Sequence, residues 1–175
     1  MKKFEDKENN LKIRKASYDD IPLILKFIKE LSIYEKMSKE VVATEDILRE
    51  TLFGDKPYAR VLIAEIDKEP VGYALYFYNF STFVGRPGLY IEDVFVSEKY
   101  RGQGVGTALF KYCARIAKKD KCVRMEWSVL KWNPAREFYE HMGAKSMDEW
   151  VVYRLTAGTG DGSLYQFIKS DKKIN

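Results

Sequence analysis

The 175-residue sequence contains one histidine and two cysteines. Any Ser-His or Cys-His catalytic scheme would have to use His141, which precedes Gly143 at an expected helix end and is typical of a C-terminal cap. Cys113 and Cys122 are too few for a disulfide framework and lack Cys or His partners for zinc, so we expect both to be reduced core residues. The sequence therefore indicates no metal site and no catalytic thiol.

A strong net charge and long apolar runs are also missing. The formal charge of +4 is too small for a dedicated nucleic-acid binder, and no basic stripe with interleaved aromatics occurs, so we expect no nucleic-acid partner. No apolar run approaches the roughly 18 to 20 residues of a membrane-spanning helix, and residues 1–10 lack the apolar core of a signal peptide. We expect a cytoplasmic protein without membrane contact, with a charged tail at 1–10, a single domain at 11–170 and a polar tail at 171–175.

The hydrophobic patterns predict an α+β fold in which helices come early and late around a mostly antiparallel sheet. Strands are predicted at Leu11–Lys15, Ala59–Ile66, Val71–Tyr78, Leu89–Val96, Val123–Leu130 and Trp150–Leu155, and Leu164–Ile168 is expected to be an edge strand or to exchange with a partner subunit. Helices are predicted over the apolar positions from Ile21 to Leu31, at Thr44–Phe53, after a glycine-rich segment at 101–106, and from Asn133 through Met142.

The glycine-rich segment reads Arg101-Gly102-Gln103-Gly104-Val105-Gly106 and lies between an apolar strand and an amphipathic helix. Alternating glycines allow close approach to the main chain, and a helix that begins there directs unpaired N–H groups and its positive dipole end at the same place. A dinucleotide fingerprint fails at Thr107, and the lysine of a P-loop is absent. The segment predicts a pyrophosphate cradle, to which Arg101 adds charge. The alternative is a simple turn into a helix.

Two adjacent carboxylates, Glu92 and Asp93, interrupt the apolar strand Leu89–Val96. Successive strand side chains face opposite ways, so both can be solvated only if a bulge or cleft opens the sheet. At least one should line a site, unless this is an edge strand with both acids near water. A carboxylate in a partly apolar cleft can have a raised pKa, which makes Glu92 our candidate base.

Tyr139 follows Asn133 and Pro134 by about a turn and a half of the predicted helix. A phenol with a pKa of about 10 is a competent proton donor to a thiolate leaving group, so Tyr139 is a candidate general acid. The alternative is a core or interface aromatic, since the sequence holds twelve tyrosines.

These segments together resemble the acetyl-CoA signature of the GNAT N-acetyltransferase superfamily. The resemblance extends from about Lys12 to Leu155. Within the superfamily, several stretches resemble the spermidine/spermine N-acetyltransferases and their thialysine-acetylating relatives: Lys29-Glu30-Leu31, Tyr34-Glu35-Lys36, Tyr90-Ile91-Glu92-Asp93, and Tyr100 to Gly106. The resemblance implies a GNAT fold, with a twisted sheet of about six or seven strands splayed after the acidic strand and about four flanking helices. It also implies acetyl-CoA as cofactor and a homodimer.

The resemblance assigns roles by position. It implies that the backbone of Val94, Phe95 and Val96 binds the cofactor. The glycine turn and the helix start would bind it too, through Arg101, Gly102, Gln103, Gly104, Val105, Gly106 and Thr107. The downstream segment would contribute Asn133, Pro134 and Ala135. Tyr139 would be the general acid, and Glu92 would deprotonate the amine through water. Tyr34, Glu35 and Asp93 would join Glu92 in an acidic seat for a cationic substrate.

The implied reaction is direct attack of a primary amine on the thioester, with a thialysine- or lysine-like amino acid, a diamine or a polyamine as acceptor. Polyamine acetylases carry an Asp and a Trp where this sequence has Ser81 and Phe83. We therefore expect a short amine, with spermidine less favoured. Two alternatives stay open, namely an acetyl-CoA-binding sensor without turnover and acetylation of a protein or peptide amine.

Overall fold

A computed structural model describes residues 4–6, 10–157 and 163–169. The described strands form one sheet in the order of the chain, antiparallel except for a parallel last pair. They are β1 (Phe4–Asp6), β2 (Leu11–Lys15), β3 (Arg60–Ile66), β4 (Glu69–Ser81), β5 (Arg86–Val96) and β6 (Met125–Trp127). The predicted α+β fold with a mostly antiparallel sheet is confirmed.

Five α-helices are described, one more than the four or so expected. They are α1 (Ile21–Tyr34), α2 (Glu45–Phe53), α3 (Val105–Lys119), α4 (Ala135–His141) and α5 (Ser163–Lys169). Pro22 lies in the first turn of α1, where its missing N–H costs nothing. Thr44 caps α2, since its hydroxyl accepts a hydrogen bond from the Ile47 N–H at 3.3 Å.

The core lies on both faces of the sheet. On one face α1 and α2 pack against β3, β4 and β5, and buried Phe27 of α1 contacts Tyr73 and Phe95 there. Side chains that alternate with these along the strands, such as Leu62 and Tyr76, are buried as well. Helix α3 contacts β2 through β5.

The chain divides into two compact units, Met1–Ser128 and Val129–Asn175. The first contains β1 to β6 and α1 to α3, and the second contains α4 and α5. A single domain over 11–170 stays a prediction. Within the part of the chain that the structure describes, no helix has the length and apolar composition to cross a bilayer.

Three predicted strands were wrong in part or whole. Trp150–Leu155 forms no strand in the described chain and is exposed, because β-branched and aromatic residues favour a strand only where a neighbouring strand covers them. Leu164–Ile168 lies in helix α5, consistent with the helical spacing of its apolar residues. Of the strand predicted at Val123–Leu130, only Met125–Trp127 forms a strand, β6.

At the N-terminus, strand β1 lies within the stretch 1–10 expected to be a tail. The predicted polar tail at 171–175 lies outside the described residues.

A network of ion pairs ties β2 and β3 to the start of α1. Arg14 binds Asp20 at 2.7 Å and Glu65 at 2.6 Å, with all three side chains largely shielded from water. Asp20 also accepts the Ser17 N–H at 2.7 Å. The hydrogen bond from Arg14 is the main cause that lowers the pKa of Asp20 to about 2.

Replacing Asp20 by Asn should destabilise the protein at neutral pH. Because the folded state lowers the pKa of Asp20, its stabilisation is present above the unfolded pKa near 4 and is lost as the pH falls toward 2. Urea denaturation should show a loss of about 1 to 2 kcal/mol at pH 7, discounted for partial solvation of Arg14. Asp19→Asn, an exposed neighbour, serves as control. A loss that stayed constant from pH 7 down to pH 3 would contradict this account.

Candidate active site

The site begins at an irregularity between β4 and β5. Leu75 pairs with Asp93 and the next residue of β4, Tyr76, pairs with Ile91, so Glu92 is one extra residue on β5. Such a bulge interrupts the ladder and bends the strand. The irregularity that the two adjacent acids predicted is therefore present as a β-bulge, and Glu92 is the bulged residue.

Beyond the bulge, one edge of β5 carries backbone groups without a strand partner. The Ser97 N–H donates to the Val71 carbonyl at 2.9 Å, on the β4 side. Because backbone groups alternate in direction along a strand, Val94 and Val96 direct theirs to the opposite edge. The register of β5 with β6 covers Leu89–Ile91, so none of the described strands pairs with that edge farther along.

Two carboxylates, Glu35 and Glu92, lie close enough to Asp93 to disfavour its ionised form, and we call the three the acidic cluster. The pKa of Asp93 is raised to about 6, mainly by burial. The nearby charges of Glu92 and Glu35 also contribute to this rise, whereas a hydrogen bond from Tyr73 opposes it. The Tyr73 hydroxyl donates to Asp93 Oδ2 at 2.9 Å. Burial also raises the pKa of Glu35. The cluster can attract a cation.

The two acids of β5 differ from expectation in their exposure. We expected Glu92 in a partly apolar cleft, but its side chain is exposed, whereas Asp93 is half-buried. The bulge explains this difference, because it gives Asp93 the place opposite Leu75 on the face covered by α1.

Glu35 is fixed by the way α1 ends. The Lys36 N–H donates to the Ile33 carbonyl at 3.1 Å, and the Met37 N–H donates to the Ser32 carbonyl at 2.8 Å. With Lys36 at φ 61°, these bonds form a Schellman motif. The negative end of the α1 dipole thus lies beside the cluster and adds to its attraction for cations.

The glycine-rich turn leads directly into α3, as predicted. Gly102 and Gly104 have φ angles of 75° and 78°, which side chains with a Cβ rarely adopt. Gly104 is the residue at the helix start. Both glycines are therefore needed for the path of the turn.

The start of α3 presents bare main chain. The Ala108 N–H is the first to bond within the helix, to the Gly104 carbonyl at 2.9 Å, so helix geometry leaves the N–H groups of Val105, Gly106 and Thr107 for an outside acceptor. A Cβ placed on Gly106 would meet no atom within 4 Å. This open space, donors and helix dipole fit the diphosphate of a coenzyme.

Arg101 folds back onto the protein. Its guanidinium carbon lies 4.5 Å from the centre of the Tyr34 ring and 5.9 Å from that of Phe95, and its Nε donates to the Val96 carbonyl at 3.0 Å. The predicted seat residue Tyr34 therefore contacts the glycine turn. A ligand at the β5 edge would share the Val96 carbonyl with Arg101.

The second unit carries the remaining predicted residues. Asn133 is buried, and its Oδ1 accepts the Ala135 N–H at 2.9 Å, at the start of α4. Pro134 precedes the helix. Tyr139 is half-buried on α4, with its ring centre 5.5 Å from that of Phe138.

The positions that depart from the polyamine acetylases lie at the β4–β5 hairpin. Ser81 is buried at the end of β4, and its carbonyl accepts the Gly85 N–H at 2.7 Å. The Phe83 side chain at the tip is 99% exposed. The hairpin tip thus carries no carboxylate at either of these positions.

The structure brings the three predicted carboxylates together around Tyr73 and places Tyr34 against Arg101. Sequence reasoning missed Tyr73, because one tyrosine among twelve in an apolar strand carries no distinguishing signal. Among the described residues, no group of three or more His, Cys, Asp or Glu side chains is arranged to hold a metal ion.

The chain matches the family model described as the acetyltransferase (GNAT) family over residues 27–144. It is 38% identical over 155 residues to a thialysine N-epsilon-acetyltransferase of Bos taurus, covering 82% of this chain and 91% of that protein. It is 31% identical over 191 residues to an L-ornithine N5-acetyltransferase of Arabidopsis thaliana, covering 83% and 84%.

Among solved structures, an integron cassette protein from the mobile metagenome of V. cholerae superposes with a TM-score of 0.75 at 28% identity, covering 91% of this chain and 98% of the other. The fold is therefore that of the family.

Replacing Asp93 by Asn should stabilise the protein at neutral pH. Because the folded state raises the pKa of Asp93 to about 6, the wild type loses stability as the pH rises through the window from about 4 to 6. Asn carries no charge and can still accept the hydrogen bond from Tyr73. Urea denaturation should show a gain of about 1 to 2 kcal/mol at pH 8, discounted for partial solvation, that disappears near pH 4. The exposed Asp55→Asn is the control, and a loss of stability at pH 8 would refute the expectation.

Proposed function

The chain belongs to the acetyltransferase (GNAT) family and is an acyltransferase, and on that premise we propose that it transfers the acetyl group of acetyl-CoA to the primary amine of a small cationic acceptor. The observation that carries the proposal is the extra residue in β5. It gathers acidic side chains on one side, and beyond it the β5 backbone edge, with which none of the described strands pairs, runs toward the glycine turn.

Cofactor binding is assigned to main-chain groups. The N–H groups at the start of α3, from Val105 to Thr107, and the turn at 101–104 hold the diphosphate, and the open space at Gly106 admits it. The backbone of Val94 to Val96 pairs with the pantetheine arm as an added strand would. The remaining residues assigned to cofactor binding are Asn133, Pro134 and Ala135. When bound, acetyl-CoA supplies the acetyl group as an activated thioester.

Acceptor binding is assigned to Tyr34 and the acidic cluster. An alkyl amine with a pKa of about 10.4 arrives as a cation at neutral pH. The cluster and the negative end of α1 attract that charge, and their attraction is strengthened where burial excludes water. A second positive group on the acceptor, as in a diamine, would find a counter-charge in the same cluster.

The acid–base work is assigned to Glu92 and Tyr139. Glu92 accepts a proton from the ammonium group, through water, because its side chain at the bulge is exposed. This leaves the nitrogen a lone pair with which to form the amide bond. Tyr139 holds a phenolic proton for the sulfur that leaves.

A short acceptor is favoured over a long polyamine. The hairpin has Ser81 and Phe83 at the positions where polyamine acetylases carry an Asp and a Trp, so one negative contact is missing. The relatives in cattle and Arabidopsis are named for thialysine and L-ornithine, two amino acids with a side-chain amine. We propose an acceptor of that kind or a short diamine, acetylated by a cytoplasmic homodimer.

The reaction is tested by thiol release from acetyl-CoA with thialysine, ornithine, short diamines, spermidine and peptide amines. Glu92→Gln and Tyr139→Phe should each lower kcat by roughly 10²- to 10⁴-fold, the range for loss of one acid or base. The exposed residues Glu50→Gln and Tyr153→Phe are matched controls and should retain activity.

Three outcomes would count against the assignments. If Glu92→Gln and Tyr139→Phe were as active as the wild type, the acid–base roles assigned to Glu92 and Tyr139 would be refuted. Turnover on spermidine at least about tenfold above that on the shorter amines would remove the acceptor class, since a tenfold preference is about 1.4 kcal/mol. Tight acetyl-CoA binding without thiol release for any amine would indicate a sensor.

Replacing Gly106 by Ala separates binding from folding. The methyl group meets no protein atom, and Ala favours a helix over Gly by about 0.5 to 1 kcal/mol, so stability should hold or rise. The same methyl group occupies the space assigned to the diphosphate, so calorimetry should show the Kd for coenzyme A raised about tenfold or more, the cost of one lost charged hydrogen bond. Unchanged affinity would refute the assigned site.

A further inference from the structure

Tyr73 of β4 is fully buried, and its hydroxyl makes a polar contact that leads into the candidate site. Its relative exposure is 0%, and its ring stacks on Phe27 with centroids 5.6 Å apart and planes 4° apart. The ring is held by the core formed by α1, α2 and the sheet. The hydroxyl therefore has a fixed direction, and it donates to Asp93 Oδ2 at 2.9 Å.

The bulge makes this contact possible. Leu75 lies opposite Asp93, and Tyr73 is two residues from Leu75 on the same face of β4, so Tyr73 and Asp93 are diagonal neighbours. If the register set by Tyr76 and Ile91 continued without a shift, Glu92 would lie opposite Leu75 instead. The bulge thus makes Asp93 the acid that faces the core, within hydrogen-bond distance of Tyr73.

The charged groups that act on Asp93 from the surrounding elements are acidic. Glu92 of β5 and Glu35 at the end of α1 both disfavour its ionised form, as does burial. The hydrogen bond from Tyr73 on β4 acts in the opposite sense. A half-buried carboxylate that lost this donor would be both less ionised and free to rotate.

We propose that Tyr73 is a positioning residue, which holds the Asp93 carboxylate charged and correctly directed to bind the cationic amine acceptor. The proposal rests on the proposed function. Tyr73 acts through Asp93 and does not itself touch the acceptor. Its hydroxyl serves substrate binding, while its ring serves the core.

The test is Tyr73→Phe, which keeps the ring stacked on Phe27 and removes one oxygen. In ¹³C NMR of carboxylates, the Asp93 signal, identified by its absence in Asp93→Asn, should titrate about one pH unit higher in Tyr73→Phe, as expected for one lost hydrogen bond to a charged group. At pH 7 this shift lowers the ionised fraction of Asp93 from about nine-tenths to about one half, so the KM for the amine should rise at least about twofold, with a smaller change in kcat. The ratio of variant to wild-type KM should shrink at pH 9, where Asp93 regains its charge.

Tyr76→Phe is the matched control, because Tyr76 is a buried tyrosine of the same strand on the opposite face. It should leave both the Asp93 titration and the KM unchanged. A Tyr73→Phe protein with an unshifted Asp93 titration, or with wild-type KM at pH 7, overturns the inference while amine acetylation stands. A shifted titration in a protein that acetylates no amine overturns the proposed function and, with it, the role in acceptor binding.

Discussion

A single extra residue in β5 sets up both halves of the candidate site. Glu92 interrupts the ladder with β4, so the strand changes phase at this point. On one side the change places Asp93 against the face covered by α1, within reach of Tyr73. On the other it directs the backbone groups of Val94 and Val96 to an edge where none of the described strands pairs. The acidic cluster and the β5 edge that none of the described strands pairs therefore both adjoin the same irregularity.

Arg101 connects these halves physically. Its side chain packs on Tyr34 at the end of α1 and bonds the Val96 carbonyl, while its backbone begins the glycine turn. A cation against an aromatic ring contributes about 0.5 to 1 kcal/mol at an exposed site.

Local patterns were sufficient for much of the fold and for the outline of the site. The glycine turn before α3 follows from φ requirements that few residues meet, and the adjacent acids of β5 required an irregularity in the sheet. Contacts between distant segments were beyond the sequence. Trp150–Leu155 has strand composition but no described partner strand, and Tyr73 gains its role from a diagonal contact with another strand. The roles of Glu92 and Tyr139 stay predictions, since they concern chemistry with bound substrates.

The most direct measurement is a crystal structure of the protein with coenzyme A. The account predicts the diphosphate on the N–H groups from Val105 to Thr107 and the pantetheine arm paired with the backbone of Val94 and Val96. Coenzyme A bound elsewhere, with the glycine turn and the β5 edge in contact with solvent, would contradict it.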